Sequence, residues 1–136
     1  MSERITGSCF CNSVKYIVHG PIKAVANCHC SLCKKTTGAV FATIAIIGEN
    51  DFELLEGKDT LITYQISEKA TKHFCRTCGT PIFNLHKKYP GNYMTAVGSF
   101  DDPSLATPAI NIFCESMMPW VKEIADLKCF VREPAK

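Results

Sequence analysis

The sequence predicts a mainly β fold on three observations: short apolar and β-branched runs recur along it, Gly, Pro, Asp and Lys punctuate them, and helical periodicity is nearly absent. With 136 residues and 46% hydrophobic content, the chain has the size of one ordinary domain with one core. The whole span 1–136 reads as a single unit, because no linker composition and no internal repeat interrupts it.

Residues 12–18 alternate Val14, Tyr16 and Val18 on one side, and residues 23–28 alternate Ala24, Ala26 and Cys28 in the same way. Gly20-Pro21 between these two strands is a turn signal, so they are expected to pair as a hairpin with a loop longer than two residues. Ser31 is a candidate cap for a short helical turn through Cys33 and Lys34. Further strands are expected at residues 40–47, 52–55, 61–66, 72–75, 81–85, 93–97 and 110–114. Pro90-Gly91 suits a tight turn with positive φ at the glycine, and Asp101-Asp102-Pro103 opens a surface loop. Pro119 precedes one or two helical turns over residues 120–124.

Charge and hydropathy exclude several function classes. Fifteen basic and thirteen acidic residues leave a net charge of +2 with no block of one sign, so nothing marks a nucleic-acid or membrane partner. The N-terminus lacks the basic-then-apolar pattern of a secretory signal. The longest apolar stretch, residues 39–47, is broken by Thr43 and is far short of the roughly 20 residues that span a bilayer. A cytoplasmic location is therefore expected. Thiols stay reduced there, and an odd count of nine cysteines also argues against a disulfide framework.

Seven of those cysteines fall into three clusters: Cys9 and Cys11, then Cys28, Cys30 and Cys33, then Cys75 and Cys78. Seven is the sum of a closed four-ligand zinc site and a three-ligand site with an open position. In an extended chain residues i and i+2 share a face, so Cys9/Cys11 and Cys28/Cys30 each present two sulfurs to one side. Cys75-Arg76-Thr77-Cys78-Gly79 has the form of a zinc knuckle, with Gly79 relieving a positive φ. A redox Cys-x-x-Cys normally opens a helix, which Gly79-Thr80-Pro81 disfavours. Spacing leaves two partitions open. One joins Cys9, Cys11, Cys75 and Cys78 and leaves Cys28, Cys30 and Cys33 as a set of three; the other pairs Cys30/Cys33 with Cys75/Cys78. Three thiolates around Zn²⁺ carry a net charge of −1, and a vacancy on that ion favours a soft donor such as a substrate thiolate.

No proton-transfer residue is legible. His29 points away from its cysteine neighbours in an extended chain, so it is not expected to be a ligand. His19, His73 and His86 read as ordinary surface or packing residues, and Cys114 and Cys129 as buried structural thiols. Lys34, Lys35, Lys72, Arg76, Lys87 and Lys88 lie near the cysteines or on a loop; solvated charge is their default, and recognition of an anionic thiol's carboxylates the alternative. Phe113 and Trp120 read as core or pocket wall.

Three ordered motifs carry a resemblance. Gly7-Ser8-Cys9-Phe10-Cys11-Asn12-Ser13-Val14-Lys15-Tyr16, then Cys28-His29-Cys30-Ser31-Leu32-Cys33-Lys34-Lys35 with Gly38, then Phe74-Cys75-Arg76-Thr77-Cys78-Gly79-Thr80-Pro81 resemble the glutathione-dependent formaldehyde-activating enzyme family, also called centromere-protein-V-like. The resemblance spans about residues 5 to 130. It implies a β-tent fold of small antiparallel sheets organised around two zinc ions, with few short helices. It also implies that Cys9, Cys11, Cys75 and Cys78 hold a structural zinc, while Cys28, Cys30 and Cys33 hold a catalytic one. The implied activity is that of a carbon-sulfur lyase, the reversible condensation of glutathione with formaldehyde. This chain departs from the pattern in its short length and in Asn111, where many members place a histidine.

The expectation is therefore a zinc-dependent lyase acting on adducts of a small thiol, with glutathione as the candidate, and an aldehyde. The rival is a non-enzymatic zinc module that binds a protein, which predicts a broad exposed apolar patch. Chromatin association would call for a basic extension, which the sequence lacks.

Overall fold

A computed structural model describes residues 4–134 and places ten strands in two sheets. Strand β1 (Ile5–Ser8) pairs antiparallel with β2 (Lys15–Val18), which pairs on its other side with β5 (Phe52–Glu56). The second sheet has seven strands. In spatial order they are β10 (Ile110–Ile112), β3 (Ala24–Cys28), β4 (Ala42–Gly48), β9 (Asn92–Ala96), β8 (Pro81–His86), β7 (Ala70–Cys75) and β6 (Leu61–Gln65). Every pair in it is antiparallel except β10 with β3, whose parallel register sets Ile112 beside Cys28.

The sheets meet through aromatic side chains. Tyr16 of β2 stacks on Phe52 of β5 at 4.7 Å between centroids, and Phe52 meets Phe83 of β8 at 5.3 Å and Tyr93 of β9 at 5.0 Å. Around them Val14, Val18, Ile47 and Ile82 are fully buried, and Cys9 and Cys75 belong to the same core. Offset and edge-on aromatic packing of this kind adds about 0.5–1.5 kcal/mol per pair beyond simple area burial.

The mainly β class holds, and each run expected beyond residue 40 forms a strand within a few residues of its predicted bounds. Three local expectations are corrected. The strands on either side of Gly20-Pro21 do not form a hairpin, because they belong to different sheets. The His19 amide donates to Asp51 O, just ahead of β5, at 2.7 Å and the Lys23 amide to Ile46 O of β4 at 2.9 Å, so each end of the loop is committed to a different neighbour. Secondly, Cys9 and Cys11 do not lie in a strand: β1 ends at Ser8, and the chain turns through Asn12 at φ 65. An extended run would point both sulfurs one way but could not wrap them around one point.

Thirdly, Cys114 and Cys129 are exposed rather than buried, as are Phe113 and Trp120. The reason is that, among the described residues, none beyond Ala106 belongs to the core cluster. Apolar composition there does not mean burial. The helix α1 (Ser31–Thr37) runs a turn longer than expected, and its cap is Cys30, whose sulfur accepts from the Cys33 amide at 3.2 Å. Pro119–Asp126 is a 3-10 segment. No helix among the described residues is long and apolar enough to cross a membrane.

Candidate metal and thiol site

Two sulfur clusters emerge from this fold. Cys9, Cys11, Cys75 and Cys78 form one, Cys28, Cys30 and Cys33 the other, with all sulfurs of a cluster within 4.8 Å of one another. The pairing of Cys30/Cys33 with Cys75/Cys78 is not formed. All nine cysteines are free thiols.

In the first cluster the turn after β1 meets the turn after β7. Cys9 and Cys11 sulfurs lie 3.6 Å apart, and Cys11 and Cys75 sulfurs 3.7 Å apart. A tetrahedron with zinc-sulfur bonds of about 2.3 Å has an edge of about 3.8 Å, so this spacing suits a metal rather than a disulfide of about 2.05 Å. Donors surround the sulfurs: the Val14 amide reaches Cys9 at 3.2 Å, the Cys78 amide reaches Cys75 at 3.4 Å, and the Ser13 hydroxyl lies 2.8 Å from Cys11. The Thr80 hydroxyl, 3.2 Å from Cys78, is the main reason that this thiol is lowered to about 5. Donors aimed at sulfur stabilise thiolate, the form a metal binds. Gly79 at φ 80 allows the sharp turn that lets its own amide close on Cys75 O at 2.8 Å.

The second cluster sits where β3 ends against β10 and α1 begins. Cys28, the last residue of β3, is buried; Cys30 and Cys33 are partly exposed. A hydrogen bond from Cys33 is the first cause of a Cys28 thiol lowered to about 6, and the same bond raises Cys33 above the ordinary thiol range. The anionic form is thus favoured on Cys28. No histidine, carboxylate or fourth cysteine joins this group among the described residues.

His29 deserves its place in the site although it is not among the clustered ligands. It is fully buried, and its Nε2 donates to Asn111 Oδ1 at 3.1 Å, an oxygen that also accepts from Asn27 Nδ2 at 3.3 Å. The other ring nitrogen, Nδ1, is buried without a hydrogen-bond partner. Thr43 donates to Asn27 Oδ1 at 2.7 Å and completes the network. Neither this network nor the backbone of Phe113, left-handed at φ 57, was legible in the sequence, since both depend on the parallel pairing of β10 with β3. An aromatic side chain in that region costs roughly 1–2 kcal/mol.

The remaining candidates behave as ordinary residues. His19 bonds Glu53 at 2.6 Å, His73 stacks on Phe83 at 4.4 Å with burial lowering its pKa, and His86 Nδ1 accepts from the Lys88 amide at 3.1 Å. Lys34 donates to Ser116 O at 2.6 Å and Lys72 to Thr36 O, so both amines are engaged with the backbone around α1.

Fold and site together define a class: a small mainly β protein whose cysteines gather into two metal-competent thiol clusters. Residues 4–116 match the family model described as glutathione-dependent formaldehyde-activating enzyme, and the chain belongs to that family. A Halomonas elongata protein that carries the family's name is 26% identical over 126 residues, covering 87% of this chain and 80% of its own. A Fusarium vanettenii protein of the same name is 28% identical over 85 residues, 60% of this chain and 46% of that one. A crystal structure of a Rhodobacter sphaeroides protein superposes with a TM-score of 0.64 at 24% identity, covering 78% of this chain and 98% of that chain, and shows the likeness of fold. The resemblance carried by the three cysteine motifs is thereby borne out, and the relatives' names support an enzymatic role.

Proposed function

We propose that this protein is a zinc-dependent carbon-sulfur lyase acting on adducts of a small thiol and an aldehyde, S-hydroxymethylglutathione being the type. The carrying observation is the contrast between clusters: four sulfurs in one, three in the other with no fourth protein donor in its group. Soft, thiolate-prone donor sets of this kind fit zinc. In this reading Cys9, Cys11, Cys75 and Cys78 hold a structural ion, and Cys28, Cys30 and Cys33 hold a second one. Zinc on the three thiolates would supply an open coordination position for a substrate sulfur and favour its anionic form.

The reaction breaks the carbon-sulfur bond of the hemithioacetal. The hydroxyl proton leaves, the carbonyl forms, the bond's electron pair passes to sulfur, and the reverse sequence captures the aldehyde. The residues of this chain hold the reacting sulfur beside Cys28, whose burial excludes water on the β3 side. Nine free thiols fit the reducing cytoplasm in which such a chain would work. In this reading residues 1–136 act as one functional unit.

The test is direct. The zinc-loaded protein is incubated with glutathione and formaldehyde while adduct exchange is followed by NMR; exchange faster than in protein-free solution supports the reading. Unaccelerated exchange across glutathione, cysteine and 2-mercaptoethanol would remove it.

A second reading, a zinc module that binds a protein, draws on one observation. Trp120, Ile124, Leu127, Phe130 and Val131 are all exposed, Val131 completely, in a segment that adds nothing to the core. Saturation of both metal sites by protein ligands, with no thiol-dependent change at either, would favour it.

A further inference from the structure

The chain beyond β10 adopts a shape that sulfur ligation does not require. Phe113 is left-handed at φ 57 and ψ 45; the other non-glycine residue of positive φ among those described is Asn12, a type that tolerates it. Two hydrogen bonds hold the loop 113–116 in place. Ahead of it, Ile112 O accepts from the His29 amide at 3.0 Å; at its end, Ser116 O accepts from Lys34 Nζ at 2.6 Å. His29 separates Cys28 from Cys30, and Lys34 follows Cys33. Both ends of the loop are therefore pinned to the one stretch of chain that carries the three sulfurs.

Between those pins the Phe113 side chain is 56% exposed. A strained backbone persists only where its surroundings over-determine it, and such positions gather at ligand clamps. Other apolar groups flank the same stretch: Leu32, half exposed between Cys30 and Cys33, and Phe41, beyond α1, whose ring lies 5.2 Å from that of His29. Lys34, the cation nearest Cys33 in sequence, is engaged by Ser116. Leu32 and Phe41 are thus the apolar groups beside the cluster, while Glu115 of the loop and Lys35 of α1 are exposed charges.

We propose that the loop 113–116 is the substrate lip of the three-cysteine site, and that Phe113 selects thiols bearing an apolar group next to sulfur. This rests on the reading of that site as an open position for a substrate thiol. Phe113 covers the carbon skeleton of the thiol while sulfur enters beside Cys28, Cys30 and Cys33. Holding the backbone left-handed keeps the ring outward, free to close over the ligand instead of folding into the sheet.

The experiment uses the full chain loaded with cobalt(II), whose sulfur-to-metal absorption reports a thiol that binds. Wild type, Phe113→Gly and Phe113→Asn are titrated with benzyl mercaptan and with 2-mercaptoethanol. Glycine and asparagine both accept positive φ, so both variants keep the fold, with thermal midpoints at or above that of wild type. Wild type is expected to bind benzyl mercaptan about tenfold more tightly than 2-mercaptoethanol; both variants lose about tenfold for the aromatic thiol and stay within about twofold for the other. Equal affinities in wild type, or losses shared by both thiols, overturn the lip and leave the open position standing. A cobalt spectrum that no thiol changes removes the open position itself, and the lip with it.

Discussion

A single side-chain oxygen, Oδ1 of Asn111, ties β10 to the chain around Cys28 by accepting from both His29 and Asn27. His29 is fully buried, so removing its acceptor leaves a buried ring donor without its protein partner. Asn111→Leu should therefore cost about 1–3 kcal/mol in urea unfolding, while Asn111→Asp, which keeps an acceptor, should cost less. A cost for Leu no greater than for Asp would show that the network does not anchor the ring. The seven clustered cysteines were legible from spacing alone because ligand spacing is a local property. Asn111 was visible only as a departure from a resembled pattern, since its partners, Asn27 on β3 and His29 just beyond that strand, meet it through a pairing the sequence does not state. Cys114 and Cys129 were misread for a related reason: apolar neighbours along the chain say nothing of whether that stretch reaches the core.

At the scale of elements, alternation and punctuation located nearly every strand but not the partner of any. The short β1 escaped notice, since Ile5-Thr6-Gly7-Ser8 offers few apolar positions and gains its place from tertiary contacts. Gly7 shows why that strand is there. A Cβ on it would fall 2.0 Å from the Tyr16 ring, which cannot retreat because it stacks on Phe52 and bonds Ser99 Oγ at 2.6 Å. Gly7→Ala should destabilise the protein by about 1–3 kcal/mol or more, read from the denaturant midpoint at unchanged slope. Asp101 secures the same strand, accepting from Ser8 Oγ at 2.6 Å and Thr6 Oγ1 at 2.7 Å, and these bonds hold its carboxyl below the ordinary carboxylate range. Its folded pKa lies under its unfolded one of about 3.9, so its stabilisation is present above that value and lost as pH falls through the folded pKa. Asp101→Asn should lower the thermal midpoint at pH 7, with the gap to wild type closing below about pH 4. A gap of constant size down to pH 3 would mean that the carboxylate charge contributes nothing.

For the whole molecule, the two sulfur clusters differ in what they join. Cys9 follows β1 of the three-stranded sheet and Cys75 ends β7 of the seven-stranded one, so the four-sulfur cluster is a clip between sheets. Cys9 and Cys75 are also core members, and stripping an ion from them would leave their thiols inside the aromatic interface. Cys28, Cys30 and Cys33 instead lie along one stretch of β3 and α1, where loss of a ligand parts nothing. A structural zinc supplies on the order of 10 kcal/mol of apparent folding free energy, comparable with the whole stability of a domain this size. Cys75→Ser should accordingly lose its cooperative unfolding transition and near-ultraviolet dichroism. On the proposed reading Cys30→Ser should keep both, while metal content by atomic emission falls from two ions per chain to one. Stepwise chelation of wild type should follow the same order, with the first ion leaving a folded protein and the second unfolding it. Were Cys30→Ser to unfold while Cys75→Ser stayed folded, the clip would have to be assigned to the three-sulfur cluster and the division of roles reversed.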